Sequence, residues 1–212
     1  MSPRISNFRE RGNEPSLLYQ LDGIVTTSYD RAVPPAPAAR AKLLDAFVTI
    51  LLEQGERAAT LEAVAATAGV SKGGLLYHFP SKDALVEGLA EHVEALGAED
   101  VERMRAAPEG PAAYYIRTSV FADTPIDRAI VALTRLSQTA NPRAQQALRH
   151  IHQGWFDALA EEVTDPAAAR AVALIGDGLY YGAAMSGETS TTPPEDVDEL
   201  LKVVRKLIGP GD

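Results

Sequence analysis

From Ala39 to Ile208 the apolar positions recur every three or four residues, and no stretch alternates with period two for long enough to suggest a sheet. The first amphipathic run, about 39–53, places Leu43, Leu44, Phe47, Ile50 and Leu51 on one face and is followed by Gly55, where a helix end favours glycine. Two short helices are predicted next, about 61–68 and 72–79. In the first, Leu61, Val64, Ala65 and Ala68 share a face behind Thr60 as cap, and Gly69 supplies the left-handed residue that ends it. In the second, Ser71 is the cap and the outer face is small and polar. Ser81 then caps a long helix reaching about Arg105, with Asp83 in its first turn and Leu85, Leu89, Val93 and Leu96 facing inward. Pro108, Gly110 and Pro111 break the pattern. Five more helices are predicted at about 112–121, 126–139, 142–163, 167–186 and 194–208, three of them announced by Asn141-Pro142, Asp165-Pro166 and Pro193-Pro194.

The fold class that follows is all-α, with a small three-helix unit over 39–84 and a larger helical unit over 85–212. Residues 1–38 stand apart, with no sustained periodicity and a proline-rich end at Pro34-Pro35-Ala36-Pro37. They read as a flexible extension or a misassigned start. The alternative is a basic arm carrying Arg4, Arg9 and Arg11, against which Glu10, Glu14, Asp22 and Asp30 count.

Composition narrows the chemistry. The 212 residues include no cysteine, which excludes disulfide frameworks, cysteine-ligated zinc and thiol catalysis, and suits a reducing cytoplasm. No apolar run is long enough for a membrane span, and no signal peptide is expected. His150 and His152 point to different sides of a helix, so no shared metal ion is expected, and no cofactor. No nucleophile elbow, phosphate loop or metal-binding His-Glu pattern supports an enzyme.

The net charge is −9, the wrong sign for indiscriminate binding to nucleic acid. Between Gly69 and Lys82, however, the formal charges are only Lys72 and Lys82. An acidic body with a small basic reading surface suits a sequence-specific DNA binder. The second short helix has adjacent glycines, Gly73 and Gly74, that let backbone approach a groove, and donors Tyr77, His78 and Lys82 at its end. As structural residues, Thr60 and Ser71 would simply be caps, and His78 a surface histidine.

The run Gly69-Val70-Ser71-Lys72-Gly73-Gly74-Leu75-Leu76-Tyr77-His78-Phe79-Pro80-Ser81-Lys82 resembles the signature of the TetR (tetracycline repressor) family of bacterial regulators, and the spacing of Arg40, Phe47, Gly55, Thr60 and Ala65 agrees with it. The match is strong over about 39–90; beyond that only length and helical layout agree. The resemblance implies a helix-turn-helix DNA-binding domain followed by a helical effector-binding and dimerisation domain. It implies that Thr60, Tyr77, His78 and Lys82 hold the phosphate backbone, while Ser71, Lys72, Gly73 and Gly74 sit at the groove-facing start of the recognition helix. Gly74 stands where the family often has a larger side chain, and Leu76 where an aromatic is frequent, which leaves base preference open.

The implied function is a ligand-responsive repressor that binds a palindromic operator in double-stranded DNA as a homodimer and is released by a small-molecule effector. A regulator controlled by a protein partner is the alternative. Candidate pocket residues are Tyr114, Tyr115, Phe121, Trp155, Phe156, Tyr180 and Tyr181, together with Asp177, the one charge in the apolar stretch 171–187. The aromatics could equally be core, and Asp177 could meet an arginine across a dimer or reach solvent. For the dimer, the small residues of 167–186 and the stripe Val197, Leu200, Leu201, Val204 and Ile208 are expected to form a four-helix contact, or else to complete the monomer's core.

Overall fold

Capping decides where the helices of the N-terminal half begin. In the computed structural model, which describes residues 36–186 and 194–209, α1 (Ala36–Glu53) is followed by α2 (Leu61–Ala68), α3 (Lys72–His78) and α4 (Lys82–Arg105). The hydroxyls of Thr60, Ser71 and Ser81 each accept a hydrogen bond from the backbone N–H three residues on, at 3.2, 3.1 and 3.1 Å. Gly69 closes α2 with φ +65°, a left-handed conformation that a side chain would strain. The tight turn from Gly69 to Ser71 follows from these two local devices.

The C-terminal half comprises α5 (Pro111–Thr118), α6 (Pro125–Gln138), α7 (Pro142–Glu162), α8 (Pro166–Ser186) and α9 (Pro194–Ile208). Among the described residues there are nine helices and no strand, so the all-α expectation stands. Four of the five helices start on a proline that directly follows a polar or proline residue, as the dipeptides predict or, for Thr124-Pro125, one residue before the predicted start. Two boundaries differ more. Helix α1 begins at Ala36, ahead of the expected Ala39. Helix α5 stops at Thr118 rather than 121, because the Ser119 hydroxyl donates back to the Tyr115 carbonyl (2.7 Å) and the chain turns toward the next cap. There Asp127 accepts from the N–H groups of Ala122 and Thr124 (3.1 and 3.0 Å) while Thr124 caps α6 in return. The 1–38 extension, with Arg4, Arg9 and Arg11, lies almost wholly outside the described residues.

Two buried clusters hold the helices. The first joins α1, α2 and α3 to the first half of α4 and continues into α6 and α7, with Leu43, Phe47, Leu51, Leu75, Leu89 and Leu133 all inaccessible to solvent. The second joins the far end of α4 to α5, α7, α8 and α9 around Met104, Ile116, Leu159 and Val172. Helices α4 and α7 run through both, with α4 as the one that leads on from α3. It packs closely on α7: a Cβ on Gly97 would lie 2.7 Å from Ile151 Cγ2.

The stripe expected to pair across a two-fold axis finishes the monomer instead. Val197, Leu201 and Val204 are buried in the second cluster, and Ile208 packs against it. Among the described residues, the large apolar side chains left exposed on these helices are others: Leu174 (63%) and Tyr181 (55%) on α8, Val203 (48%) and Leu207 (44%) on α9. A helix with an apolar stripe must bury it somewhere, and α9 buries its own against α5 and α8.

Candidate nucleic-acid interface and ligand cavity

Helix α3 turns its small and polar side outward. Ser71, Lys72, Gly73, Leu76 and Tyr77 are exposed, Tyr77 to 81%, whereas Leu75 and Phe79 are buried in the first cluster. His78 is half-buried, with the Tyr77 ring edge-on at 5.1 Å and the Phe79 ring, tilted, at 6.5 Å. The caps use one acceptor site of Thr60 and of Ser71, and both hydroxyl protons remain available as donors.

The paired glycines differ. A Cβ on Gly73 would meet nothing within 4 Å, so packing within the chain does not require glycine there. A Cβ on Gly74 would press on Val70 Cγ1 at 3.0 Å and Ser71 Oγ at 3.3 Å, so the tight turn itself favours glycine. Phe79 anchors the end of α3. Its ring lies against Gly88 of α4, where a Cβ would sit 2.6 Å from the ring and 3.3 Å from Arg40 Nη2, and the Arg40 guanidinium lies 5.4 Å from the ring centroid.

The two lysines are not free charges, which changes the local charge argument. Lys72 pairs with Glu62 of α2 at 2.7 Å. Lys82 pairs with Glu56 at 3.4 Å and donates to the Glu56 backbone carbonyl at 2.8 Å. Neither glutamate lies in the 69–82 window; the fold brings both in from the preceding loop and helix. The Lys72 hydrogen bond holds the Glu62 carboxyl below the usual carboxylate range.

Away from this surface, residues of α4 to α8 line a cavity of about 1060 Å³ that is open at one edge, where the exposed Leu174 and Tyr181 stand. Of the sequence-predicted pocket residues, Tyr114, Tyr115, Trp155, Asp177, Tyr180 and Tyr181 line it. Phe121 and Phe156 do not. Phe121 packs edge-on against Tyr180 at 6.2 Å, and Phe156 lies in the second cluster under the Arg170 guanidinium, 4.2 Å from its ring centroid. Adjacent residues on a helix point about 100° apart, so α7 can send Trp155 into the cavity while turning Phe156 away.

The polar groups of the wall form two sets. Asp100 Oδ1 accepts from the Tyr114 hydroxyl (2.8 Å) and Arg103 (3.3 Å), and Oδ2 from the Trp155 indole N–H (3.1 Å). Asp177 Oδ1 accepts from the Tyr115 hydroxyl (2.8 Å) and faces His152 Nδ1 at 3.7 Å. Burial, reinforced by the charge of Asp177, raises the Tyr115 phenol well above its ordinary range, so it remains a hydrogen-bond donor. Burial likewise raises Tyr180, with Asp127 adding to it. Gly176 makes room for this arrangement, since a Cβ there would overlap the Tyr115 ring. Asp100, Arg103, Thr134, Arg135 and His152 also line the cavity, and hydrophobic spacing gives no sign of them. Only the arrangement of helices reveals them, because polar residues on amphipathic helices read as solvated.

Helix α6 connects cavity and interface. Ile130, Thr134, Arg135 and Gln138 line the cavity, while the Arg135 guanidinium donates to the Leu51 carbonyl (3.0 Å) and to the Leu52 carbonyl at the C-terminal end of α1.

Comparison with known proteins agrees with this layout. The family model described as bacterial regulatory proteins, tetR family, matches residues 43–89, and that described as tetracyclin repressor-like, C-terminal domain, matches residues 109–208. The HTH-type transcriptional regulator BetI of Burkholderia mallei is 29% identical over 182 residues, covering 80% of this chain and 91% of its own. The BetI of Ectopseudomonas mendocina is 28% identical over 171 residues, covering 74% and 87%. Among solved structures, the multidrug binding protein EbrR complexed with malachite green superposes with a TM-score of 0.62 at 22% identity, covering 81% of this chain and 98% of that one. The SmeT–triclosan complex gives 0.65 at 20%, covering 82% and 96%. The DNA-reading unit and the helical domain behind it therefore have one explanation: the chain belongs to the TetR family of helix-turn-helix transcriptional regulators, DNA-binding proteins and not enzymes.

Proposed function

We propose that this regulator is a repressor that holds a palindromic operator as a homodimer and lets go when a small organic molecule fills the cavity between α4 and α8. The observation that carries the reading is the cavity of about 1060 Å³, walled by a helix, α6, that also grips α1 through Arg135. A pocket of this size, mainly apolar with a few directed polar groups, suits a small-molecule ligand. Relatives of the same fold support it: EbrR is described in complex with malachite green and SmeT with triclosan.

On the DNA side, Lys72 and Gly73 read base edges from the exposed start of α3, with Ser71 and Gly74 shaping the approach. Thr60, Tyr77, His78 and Lys82 hold phosphates and set the register. To engage phosphate, Lys82 exchanges the carboxylate of Glu56 for it, and Lys72 leaves Glu62 on entering the groove. The exposed residues Leu174, Gly178 and Tyr181 of α8, with Val203 and Leu207 of α9, supply the dimer contact in place of the stripe buried in the monomer. An effector that displaces α6 or α4 then alters the angle at which two α3 helices face successive grooves. A differential affinity of about 1–3 kcal/mol between the two conformations is a typical coupling.

The test is selection of bound fragments from a random DNA pool, followed by gel-shift titration of the selected site with compounds that raise the melting temperature of the free protein. A palindromic site released by at least one such compound is expected. A site that no cavity-binding compound releases would transfer control to a protein partner.

A further inference from the structure

The charges on the cavity wall are unequally satisfied. Both guanidiniums that line it are engaged by protein acceptors: Arg135 by the carbonyls of Leu51 and Leu52, Arg103 by Asp100 and Glu99. Asp177 is different. Its Oδ1 takes the Tyr115 hydroxyl and lies 3.7 Å from His152 Nδ1, its Oδ2 accepts no hydrogen bond from any described residue, and no lysine or arginine among the described residues pairs with it. Its side chain is 43% exposed, open to the cavity that it lines. Beside it stand the rings of Tyr115 and Trp155, 6.3 Å apart and inclined at 52°, with their polar tips turned onto Asp177 and Asp100 respectively. Donation from the hydroxyl and the indole to the carboxylates fixes both rings. The cavity thus pairs an under-satisfied carboxylate with aromatic surface held in place beside it, an arrangement that attracts positive charge from two sides.

We propose that the cavity selects lipophilic organic cations, with Asp177 as counter-charge and Trp155 and Tyr115 as the aromatic surfaces for the cationic centre. The proposal rests on the reading of this cavity as the effector site and names the ligand class that site takes. The remaining wall, Ile126, Ile130, Val131 and Leu148, receives the apolar body. An anion of the same shape meets guanidiniums that are already engaged, since Arg103 and Arg135 would first have to leave their acceptors, and the one imidazole on the wall, His152, already faces Asp177.

Tetraphenylphosphonium and tetraphenylborate separate charge from shape, because they are nearly isosteric and opposite in sign. Trp155 is the chain's one tryptophan, so quenching of its fluorescence reports occupancy of this cavity, and calorimetry gives the affinity independently. Tetraphenylphosphonium is expected to bind at least about tenfold more tightly than tetraphenylborate, a difference within the reach of a desolvated cation–aromatic contact added to a carboxylate. Asp177→Asn, at a half-exposed position where the melting temperature should hold, is expected to remove most of that preference by weakening the cation alone. Equal or tighter quenching by tetraphenylborate would overturn the cation assignment while leaving the effector cavity intact. Absence of binding by either ion would overturn both. An unchanged phosphonium affinity in Asp177→Asn would remove Asp177 from the site.

Discussion

At the scale of single residues, the feature with most bearing on the proposed DNA contacts is that both lysines assigned to them are paired with glutamates. Lys72–Glu62 and Lys82–Glu56 are solvent-exposed or half-exposed pairs, held at 2.7 and 3.4 Å. Exposed pairs of this kind are weak and screened by salt, so a phosphate can replace the carboxylate readily. The glutamates nevertheless repel the incoming backbone. Lys82→Ala should therefore weaken binding to all DNA sequences alike and lower the slope of log affinity against log salt by about one unit. Glu62→Gln should act in the opposite direction, raising affinity by about threefold at low salt as the repulsion is lifted. Gel-shift titrations at several salt concentrations measure both. An unchanged slope for Lys82→Ala would remove Lys82 from the phosphate contacts. Here the limit of a sequence window is physical: Gly69 to Lys82 contains only positive charges, yet the carboxylates that neutralise them arrive with the fold, Glu62 through the packing of α2 on α3 and Glu56 from the loop after α1, which meets the start of α4.

At the scale of elements, α4 acts as the beam between interface and cavity, and Gly88 is its joint with α3. The Phe79 ring occupies the place of a Cβ at Gly88, and the Arg40 guanidinium crowds the same position. Gly88→Ala should push the ring out and displace the C-terminal end of α3. Overpacking of this kind costs about 1–3 kcal/mol. The expected result is a lower melting temperature and operator affinity reduced about tenfold or more, with Trp155 quenching by cavity ligands retained. Gly73→Ala is the contrast: with open space around it, its stability should stay within about 0.5 kcal/mol of the parent, while the preferred operator changes. If Gly88→Ala bound operator normally, α3 would not be positioned through α4. The helices themselves were legible because Thr60, Ser71, Ser81, Asn141 and the X-Pro pairs act within three residues of where they stand. The end of α5 was not, because Ser119 and Asp127 terminate it through bonds that hydrophobic spacing does not reveal. The cavity was legible only in part. Tyr115 and Asp177 were identifiable as a buried-type aromatic and an isolated charge, but their 2.8 Å contact joins α5 to α8. Phe156 was indistinguishable by type from Trp155, its neighbour on α7, and only packing turns it away.

At the scale of the whole molecule, the proposed palindromic operator requires a second α3, and so a face on which a second copy can sit. The sequence pattern marks α9 as amphipathic, and the monomer consumes that stripe: Val197, Leu201 and Val204 are 7%, 2% and 1% exposed. What remains on the outside is a smaller second face. Leu174, Gly178 and Tyr181 are spaced four and three residues apart on α8, and Val203 and Leu207 four apart on α9, so each set lies along one side of its helix. At Gly178 a Cβ would meet nothing within 4 Å, and the bare backbone there allows a partner helix to approach closely. Leu174, Gly178 and Tyr181 also border the cavity, so a partner seated on this face would cover one of its edges. Two consequences should then appear together. The double substitution Val203→Asp and Leu207→Asp, at positions outside the cavity wall, should sediment as a monomer with unchanged helical circular dichroism. It should bind the selected palindrome about a hundredfold more weakly, because the second half-site no longer adds its effective concentration. Cavity ligands should quench Trp155 in the variant with lower affinity than in the parent, since an edge of their site is missing. A variant that still sediments as a dimer would place the two-fold contact on another face; a monomer with undiminished ligand affinity would show that each cavity is complete within its own subunit.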